Sequence, residues 1–184
     1  MAKTLRGLPS VDVAKPIFAF VGAPNVGKSS LVRALSTASP EVANYPFTTR
    51  GITMGHIFVE GESFQIADTP GLIYRPDAHR NAIEKLALAM MEKTEAAIGF
   101  VFDPTGSSGT SLRDQLLLRE ELHDRVTSAR GDHTWMDIIS KIDIPVPETE
   151  ALKAQLPDAF AVSTATNEGL APLGDEIRSV LTGN

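Results

Sequence analysis

The stretch Gly22-Ala23-Pro24-Asn25-Val26-Gly27-Lys28-Ser29 restricts the possible folds of this chain more than any other feature. Two glycines separated by four residues and followed by Lys and Ser form the pattern of a phosphate-binding loop. Backbone amides must approach phosphate oxygens closely there. Side chains would obstruct that approach, while the helix that follows presents its positive amino end to the anion. Such a loop needs a buried strand before it and a helix after it. Residues 17–21 supply the strand as a continuous apolar run, and residues 28–36 supply the helix, with Leu31, Val32 and Leu35 at helical spacing. In this arrangement Lys28 reaches the β and γ phosphates of a nucleotide, and Ser29 ligates magnesium.

The rest of the chain continues the alternation. Residues 54–60 and 63–68 alternate around Gly61-Glu62, which predicts a two-residue hairpin between antiparallel strands. Helices are predicted over 81–94, 112–125, 148–155 and 168–181, and strands over 96–102, 135–139 and 159–163. Ile83, Leu86, Ala87, Met90 and Met91 fall on one helical stripe, so the two methionines read as core rather than as ligands. The segment 42–53 is polar and has no clear period, which predicts a segment whose order depends on a bound γ phosphate. The pattern contains no repeat and no low-complexity tract. It predicts one α/β domain of the P-loop NTPase type over 16–184, preceded by an extension over 1–15. The sheet is expected to be six-stranded and mostly parallel, with right-handed crossovers, helices on both faces and the ligand at the carboxyl ends of the strands.

Composition narrows the function classes. At 184 residues, with 42% apolar and 22% charged side chains, the chain can bury about 70% of the surface its unfolded form exposes, so no metal or disulfide is needed for folding. The absence of cysteine excludes disulfides and thiolate metal sites. No apolar run approaches the length of about 20 residues that a membrane span requires, and residues 1–10 lack the apolar stretch of a secretory signal. A soluble intracellular protein with no membrane contact is expected. The formal net charge of -6 repels nucleic acid on average, so an RNA contact needs a local basic patch or a partner.

Further motifs fall at predicted strand ends. Asp68-Thr69-Pro70-Gly71 follows the phosphate loop by about forty residues, where a carboxylate can hold magnesium through water and the Gly71 amide can meet a γ phosphate. Thr48 and Thr49 lie between the two motifs, in Tyr45-Pro46-Phe47-Thr48-Thr49-Arg50-Gly51, and one of these hydroxyls can complete the magnesium shell. In Ser140-Lys141-Ile142-Asp143, the Asp143 carboxylate can accept two hydrogen bonds from a guanine ring, a pattern adenine does not offer. Ser163, Thr164 and Ala165 follow the last strand and can direct backbone amides to the guanine carbonyl.

Taken together, these strings resemble GTPases of the Obg family, in the branch of the nucleolar GTP-binding (Nog-type) proteins. The likeness spans residues 8–181. It rests on Gly22 to Ser30, on Tyr45-Pro46-Phe47-Thr48-Thr49 with Gly55-His56, on Asp68-Thr69-Pro70-Gly71-Leu72 and on Asp103-Pro104-Thr105-Gly106-Ser107-Ser108-Gly109. The resemblance implies a Ras-like G domain that binds GTP or GDP through Gly22, Asn25, Val26, Gly27, Lys28, Ser29, Ser30, Thr48, Asp68, Gly71, Ser140, Lys141, Asp143, Ser163, Thr164 and Ala165. It implies magnesium at Ser29, Thr49 and Asp68, and catalytic parts for Lys28, Thr49, Gly71 and Asn25, with Asn25 in the position that places a potassium ion in the relatives that use one. It further implies a monomer acting on a pre-ribosomal particle of rRNA and ribosomal proteins, in the nucleolus, an organelle or the cytoplasm.

The chain departs from that pattern in two respects. Ser140 stands where the family has Asn. The helical domain and the long extensions that flank the family's GTPase domain are not in this sequence, and an excised domain is expected. Leu72 replaces the glutamine that orients water in many small GTPases. Arg75, His79 and Arg80 form a basic cluster expected to be a solvated loop. The expectation is a slow, magnesium-dependent GTPase switch. The alternative is a scaffold that holds guanine nucleotide without useful hydrolysis, and Asp143 argues against an ATPase.

Overall fold

A computed structural model describes residues 15–44 and 51–183. Thr48 and Thr49 lie outside the described residues.

Strand β1 (Ile17–Val21) is apolar along its whole length because both its faces are covered. Later strands flank it on both sides. Among the later strands, β2 spans Glu41–Asn44, β3 Gly51–Val59, β4 Glu62–Asp68, β5 Ala97–Phe102, β6 Trp135–Ile139 and β7 Phe160–Ala161. The sheet order is β2-β3-β4-β1-β5-β6-β7. Strands β4, β1, β5, β6 and β7 run parallel, while β3 pairs antiparallel with both β4 and β2.

The sheet therefore has seven strands where six were expected, and the addition is β2. It is an edge strand with exposed Glu41 and Val42, so it carries no apolar alternation, and it is held by backbone pairing to β3. The expected period-free segment 42–53 thus contributes to both β2 and β3. The hairpin between β3 and β4 turns at Glu60-Gly61, one residue before the predicted pair, with φ of 51° and 89°. Both values are left-handed, as a type I′ turn requires, and the glycine takes the second without strain.

Helices α1 (Lys28–Leu35) and α5 (Leu170–Thr182) cover one face of the sheet, packing Leu31, Val32, Leu173 and Ile177 on Phe18, Phe20 and Ile66. Helices α2 (Ala82–Lys93), α3 (Leu112–Arg130) and α4 (Pro147–Gln155) cover the other, where Met91, Leu118, Leu122 and Leu152 meet Val21, Ile98, Phe100 and Phe102. Full burial of each such side chain contributes about 1.5–3 kcal/mol. Gly99 lets the two layers close, since a Cβ there would lie 2.7 Å from the Phe18 ring. Helix α3 runs past its predicted end at 125 because Val126 is buried and Arg130 donates to the carbonyls of Met91 and Ala96. Gly131, at φ 74°, then ends it. Among the described residues no helix is long and apolar enough to cross a membrane.

Candidate functional site: a nucleotide cleft at the strand ends

The phosphate loop is a tight turn from β1 into α1. Gly22 has φ 144°, and a Cβ there would lie 2.7 Å from the Val101 carbonyl oxygen, so only glycine fits. Asn25 takes a left-handed conformation at φ 61°, and Gly27 follows at 109°. Gly27 caps α1 without any side-chain bond, which leaves the first amides of the helix directed at the loop. Lys28 is buried, and its Nζ donates to the Ala23 carbonyl at 2.7 Å. Burial lowers the pKa of that ammonium, against the opposing pull of the Asp68 charge.

The loop after β4 is fastened onto this turn. Thr69 donates to the Phe20 carbonyl through both its N–H (3.1 Å) and its hydroxyl (2.9 Å), and the Leu72 N–H donates to the Gly22 carbonyl at 3.0 Å. Gly71 lies so close to Pro24 that a Cβ there would approach it to 2.7 Å. Asp68 is thereby held beside α1, where the Ser29 hydroxyl donates to its Oδ2. Its Oδ1 is buried with no hydrogen-bond partner among the described residues. Burial raises the Asp68 pKa, while Lys28 and Ser29 counter the rise. A buried carboxylate with an uncommitted oxygen, next to a hydroxyl and an ammonium, suits a hard divalent cation.

These groups open into a cleft of about 430 Å³ whose walls include Lys28, Ser29, Asp68, Gly71, Asn81 and Glu84. The last two were not anticipated as site residues. They come from a capping box at the start of α2, in which the Asn81 side chain accepts from the Ile83 and Glu84 amides and Glu84 Oε2 accepts from the Asn81 N–H. The Asn-x-x-Glu spacing was the available sequence signal.

The basic cluster is not a solvated loop, which corrects the expectation. Arg75 donates to Glu84 Oε1 at 2.8 Å, and the fully buried Arg80 side chain pairs with Glu121 at 2.7 Å and Asp77 at 3.3 Å. Only His79 of the three is exposed. The acidic partners come from α2, α3 and the short 3-10 turn Asp77–His79, and burial of an arginine requires them.

The second half of the site forms at the ends of β5, β6 and β7. The Ser140 hydroxyl is buried and lies 2.6 Å from the Val26 carbonyl and 2.8 Å from that of Phe102. Asp143 Oδ1 accepts from the Ser163 hydroxyl at 2.6 Å, and the Ser163 oxygen accepts from the amides of Ala165 and Thr166. Thr164 and Ala165 are exposed beside it. Lys141 Nζ donates to the Asn25 carbonyl at 3.0 Å and to Asp103 Oδ2 and the Ser107 hydroxyl at 2.7 Å each. A second cleft of about 320 Å³ lies between Lys141 and Asn25, Gly27, Lys28, Ser29 and Ser30. The Val26 side chain is part of the core, and its carbonyl is the acceptor of the Ser140 hydroxyl. Asp103 is fully buried; burial pushes its pKa up, but the Lys141 and Thr105 hydrogen bonds outweigh this and hold it below the ordinary value.

The structure thus brings the described candidates together at one edge of the sheet, and comparison with known proteins agrees with the chemistry they suggest. Residues 17–136 match the family described as 50S ribosome-binding GTPase. The chain is 34% identical over 137 residues to nucleolar GTP-binding protein 1 of Encephalitozoon cuniculi, covering 74% of this chain and 25% of that protein. It is 32% identical over 159 residues to GTPase Obg of Rickettsia bellii, covering 83% and 47%. It thus spans about a quarter of the first relative's length and about half of the second's. A crystal structure described as nucleolar GTP-binding protein 1 of Plasmodium falciparum superposes with a TM-score of 0.69 at 26% identity, over 96% of this chain and 91% of that one.

Proposed function

The chain belongs to the 50S ribosome-binding GTPase family, and from that premise we propose that its GTPase domain is a slow, magnesium-dependent switch acting in assembly of the large ribosomal subunit. The observation that carries the reading is the Ser29–Asp68 contact, with an Asp68 Oδ1 that has no partner among the described residues, set against the buried Lys28. Ser29 and Asp68 would hold magnesium, with a hydroxyl of Thr49 completing the set and Thr48 beside it. The ion would supply charge neutralisation between the phosphates. Lys28 would neutralise the β and γ phosphates, and the Gly71 amide would sense the γ phosphate. Asp143 would read the guanine edge, with the amides around Ser163, Thr164 and Ala165 on the carbonyl side.

Slowness follows from Leu72. Its side chain is fully buried in the core, so it can neither reach nor orient an attacking water. Arg75 and Arg80 are engaged by carboxylates, so neither supplies an uncommitted guanidinium. Asn25 is exposed at the loop and would position a potassium ion to take that charge role. Single-turnover phosphate release should run on the order of 10⁻⁴ to 10⁻² per second, faster in potassium than in sodium, and Asn25→Ala should remove the difference. Equal rates in both salts, unchanged by Asn25→Ala, would sink the potassium step. No release under any salt would return the chain to the scaffold reading.

The ribosomal role draws on the family's description and on the relatives' names, and such a role would be performed inside the cell. Sedimentation of the full-length protein with large-subunit precursors should depend on nucleotide, with a GTP analogue retaining it and GDP releasing it. Co-migration independent of nucleotide, or none, would remove that role.

A further inference from the structure

We propose that Asp103 is a positioning residue that sets how long guanine nucleotide stays bound, by holding the Lys141 ammonium across the phosphate loop at the Asn25 carbonyl. The inference rests on the assignment of the base-side cleft to guanine nucleotide and adds a residue to which that assignment gives no part.

Asp103 closes β5 with a carboxylate that is entirely shielded from solvent. Oδ1 accepts from the Thr105 N–H at 2.9 Å and the Thr105 hydroxyl at 2.6 Å; Oδ2 accepts from the Ser107 hydroxyl at 3.1 Å, the Ser108 N–H at 2.8 Å and Lys141 Nζ at 2.7 Å. The backbone beneath it is fixed as well. The fully buried Gln115 amide donates to the Asp103 carbonyl at 2.9 Å and accepts from the Asp103 N–H at 2.8 Å. This loop is therefore set rigidly around one negative charge, and a buried charge needs a partner of opposite sign. Among the described residues that partner is Lys141.

Lys141 is itself an outlier. It adopts φ 57°, a left-handed conformation that a lysine takes only where its surroundings compensate the strain. An ammonium has three protons to donate, and the three acceptors here are Asn25 O, Asp103 Oδ2 and Ser107 Oγ. Each acceptor belongs to the phosphate loop or to the β5–α3 loop, while Lys141 belongs to the base-reading loop. Its side chain thus ties three loops together along the cleft it lines. Ser140 gives one further tie between the base-reading and phosphate loops, at Val26, but through a neutral hydroxyl. The Lys141 tie is charge-assisted and therefore the stronger of the two. Removing the Asp103 charge leaves the ammonium without its anchor, and the cost falls on a preorganised site, which shows mainly in the dissociation rate.

The test is dissociation of a fluorescent GDP from the parent, Asp103→Asn, Lys141→Met and the double variant, with melting temperatures and the GDP:ADP affinity ratio measured alongside. Asp103→Asn preserves the size of the side chain and removes its charge; Thr105→Val removes one donor to Asp103 and the Thr105 hydroxyl's bonds with Ser107, and leaves the Lys141 bond to Asp103 in place. Each single variant at 103 or 141 should speed GDP release by about tenfold, and the double variant should be no faster than the faster single one. The GDP:ADP ratio should stay at the parent value, and Thr105→Val should lower the melting temperature without changing release. Multiplicative effects in the double variant, a parental release rate in Asp103→Asn, or a shifted GDP:ADP ratio would each overturn the proposal. A parent that binds GDP and ADP equally would instead overturn the guanine assignment beneath it.

Discussion

At Ser140 a hydroxyl stands where the Obg-family pattern carries an amide, and it reaches Val26 of the phosphate loop directly. An asparagine could keep that bond and offer a second group to the base. Ser140→Asn should therefore tighten GDP binding by about 1 kcal/mol, or roughly fivefold, in a calorimetric titration. Weaker binding would show that the buried pocket is fitted to serine. His123 presents a different residue-scale case, on α3 beside Trp135 at the amino end of β6. Its ring packs edge-on to Trp135 at 5.0 Å and lies 5.4 Å from His133. Burial, and then the charges of Arg119 and His133, lower its pKa, while Asp124 and Asp137 pull the other way. A histidine whose folded pKa lies below its unfolded value binds more protons when unfolded, so its contribution is present above the unfolded pKa and is lost as pH falls through it. The melting temperature should fall as the pH is lowered from about 7.5 to about 5.5, and His123→Gln should flatten that slope. An unchanged slope in the variant would assign the acid sensitivity elsewhere.

Between the segment after β4 and helix α3, contact is made by charge. Arg80 is buried against Glu121, which also accepts from Arg125, and Arg125 reaches Asp77 and Glu92. The network fastens the 3-10 turn and α2 to α3, two elements that line or support the wall of the phosphate cleft. The physics of buried pairs is asymmetric. Removing the partner of a buried charge leaves it unpaired, whereas replacing the charge by an apolar group of similar size removes the need for pairing. Glu121→Gln leaves Arg80 with the longer Asp77 contact at 3.3 Å and should therefore destabilise the protein by about 2–3 kcal/mol in urea unfolding, and Arg80→Met by clearly less. The reverse order would show that the arginine stem's packing, not its charge, holds the turn. At the same scale, β2 is tied to β3 by antiparallel backbone pairing at the edge of the sheet, where Glu41 and Val42 are exposed. Protection of amides over 42–53 should rise when a GTP analogue replaces GDP, and equal exchange in both states would speak for a permanently set module.

Across the whole molecule, the carboxyl ends of five parallel strands converge on one edge and supply Gly22, Asp68, Asp103, Ser140 and Ser163. With Asp143 held by Ser163 on the base side, GTP and GDP should bind at least about tenfold more tightly than ATP, since loss of a paired contact to a carboxylate costs more than 1.4 kcal/mol. Equal affinities would remove the base reading, and Lys28→Ala should abolish binding of all three. The phosphate loop was legible because its geometry is local: Gly22 and Gly27 are set by their own φ within a single turn, and the Lys28 ammonium is buried against a carbonyl of that same turn. The apolar runs of β1 and β5 were legible for the same reason, since periodicity reports burial within one element; on α2 the buried face is Glu84, Ala87, Leu88 and Met91, so of the expected stripe only Ala87 and Met91 are buried. Sequence alone therefore determined the fold class, the order of most elements and the GTPase family. Tertiary structure alone decided the pairing of Arg80 with Glu121, forty-one residues away, the burial of Asp103 against Lys141 at a separation of thirty-eight, the place of Glu84 on the cleft wall and the existence of β2. A charged or polar side chain carries no periodic signal of its own. Whether it is solvated or buried depends on partners that only the folded chain brings within hydrogen-bonding distance.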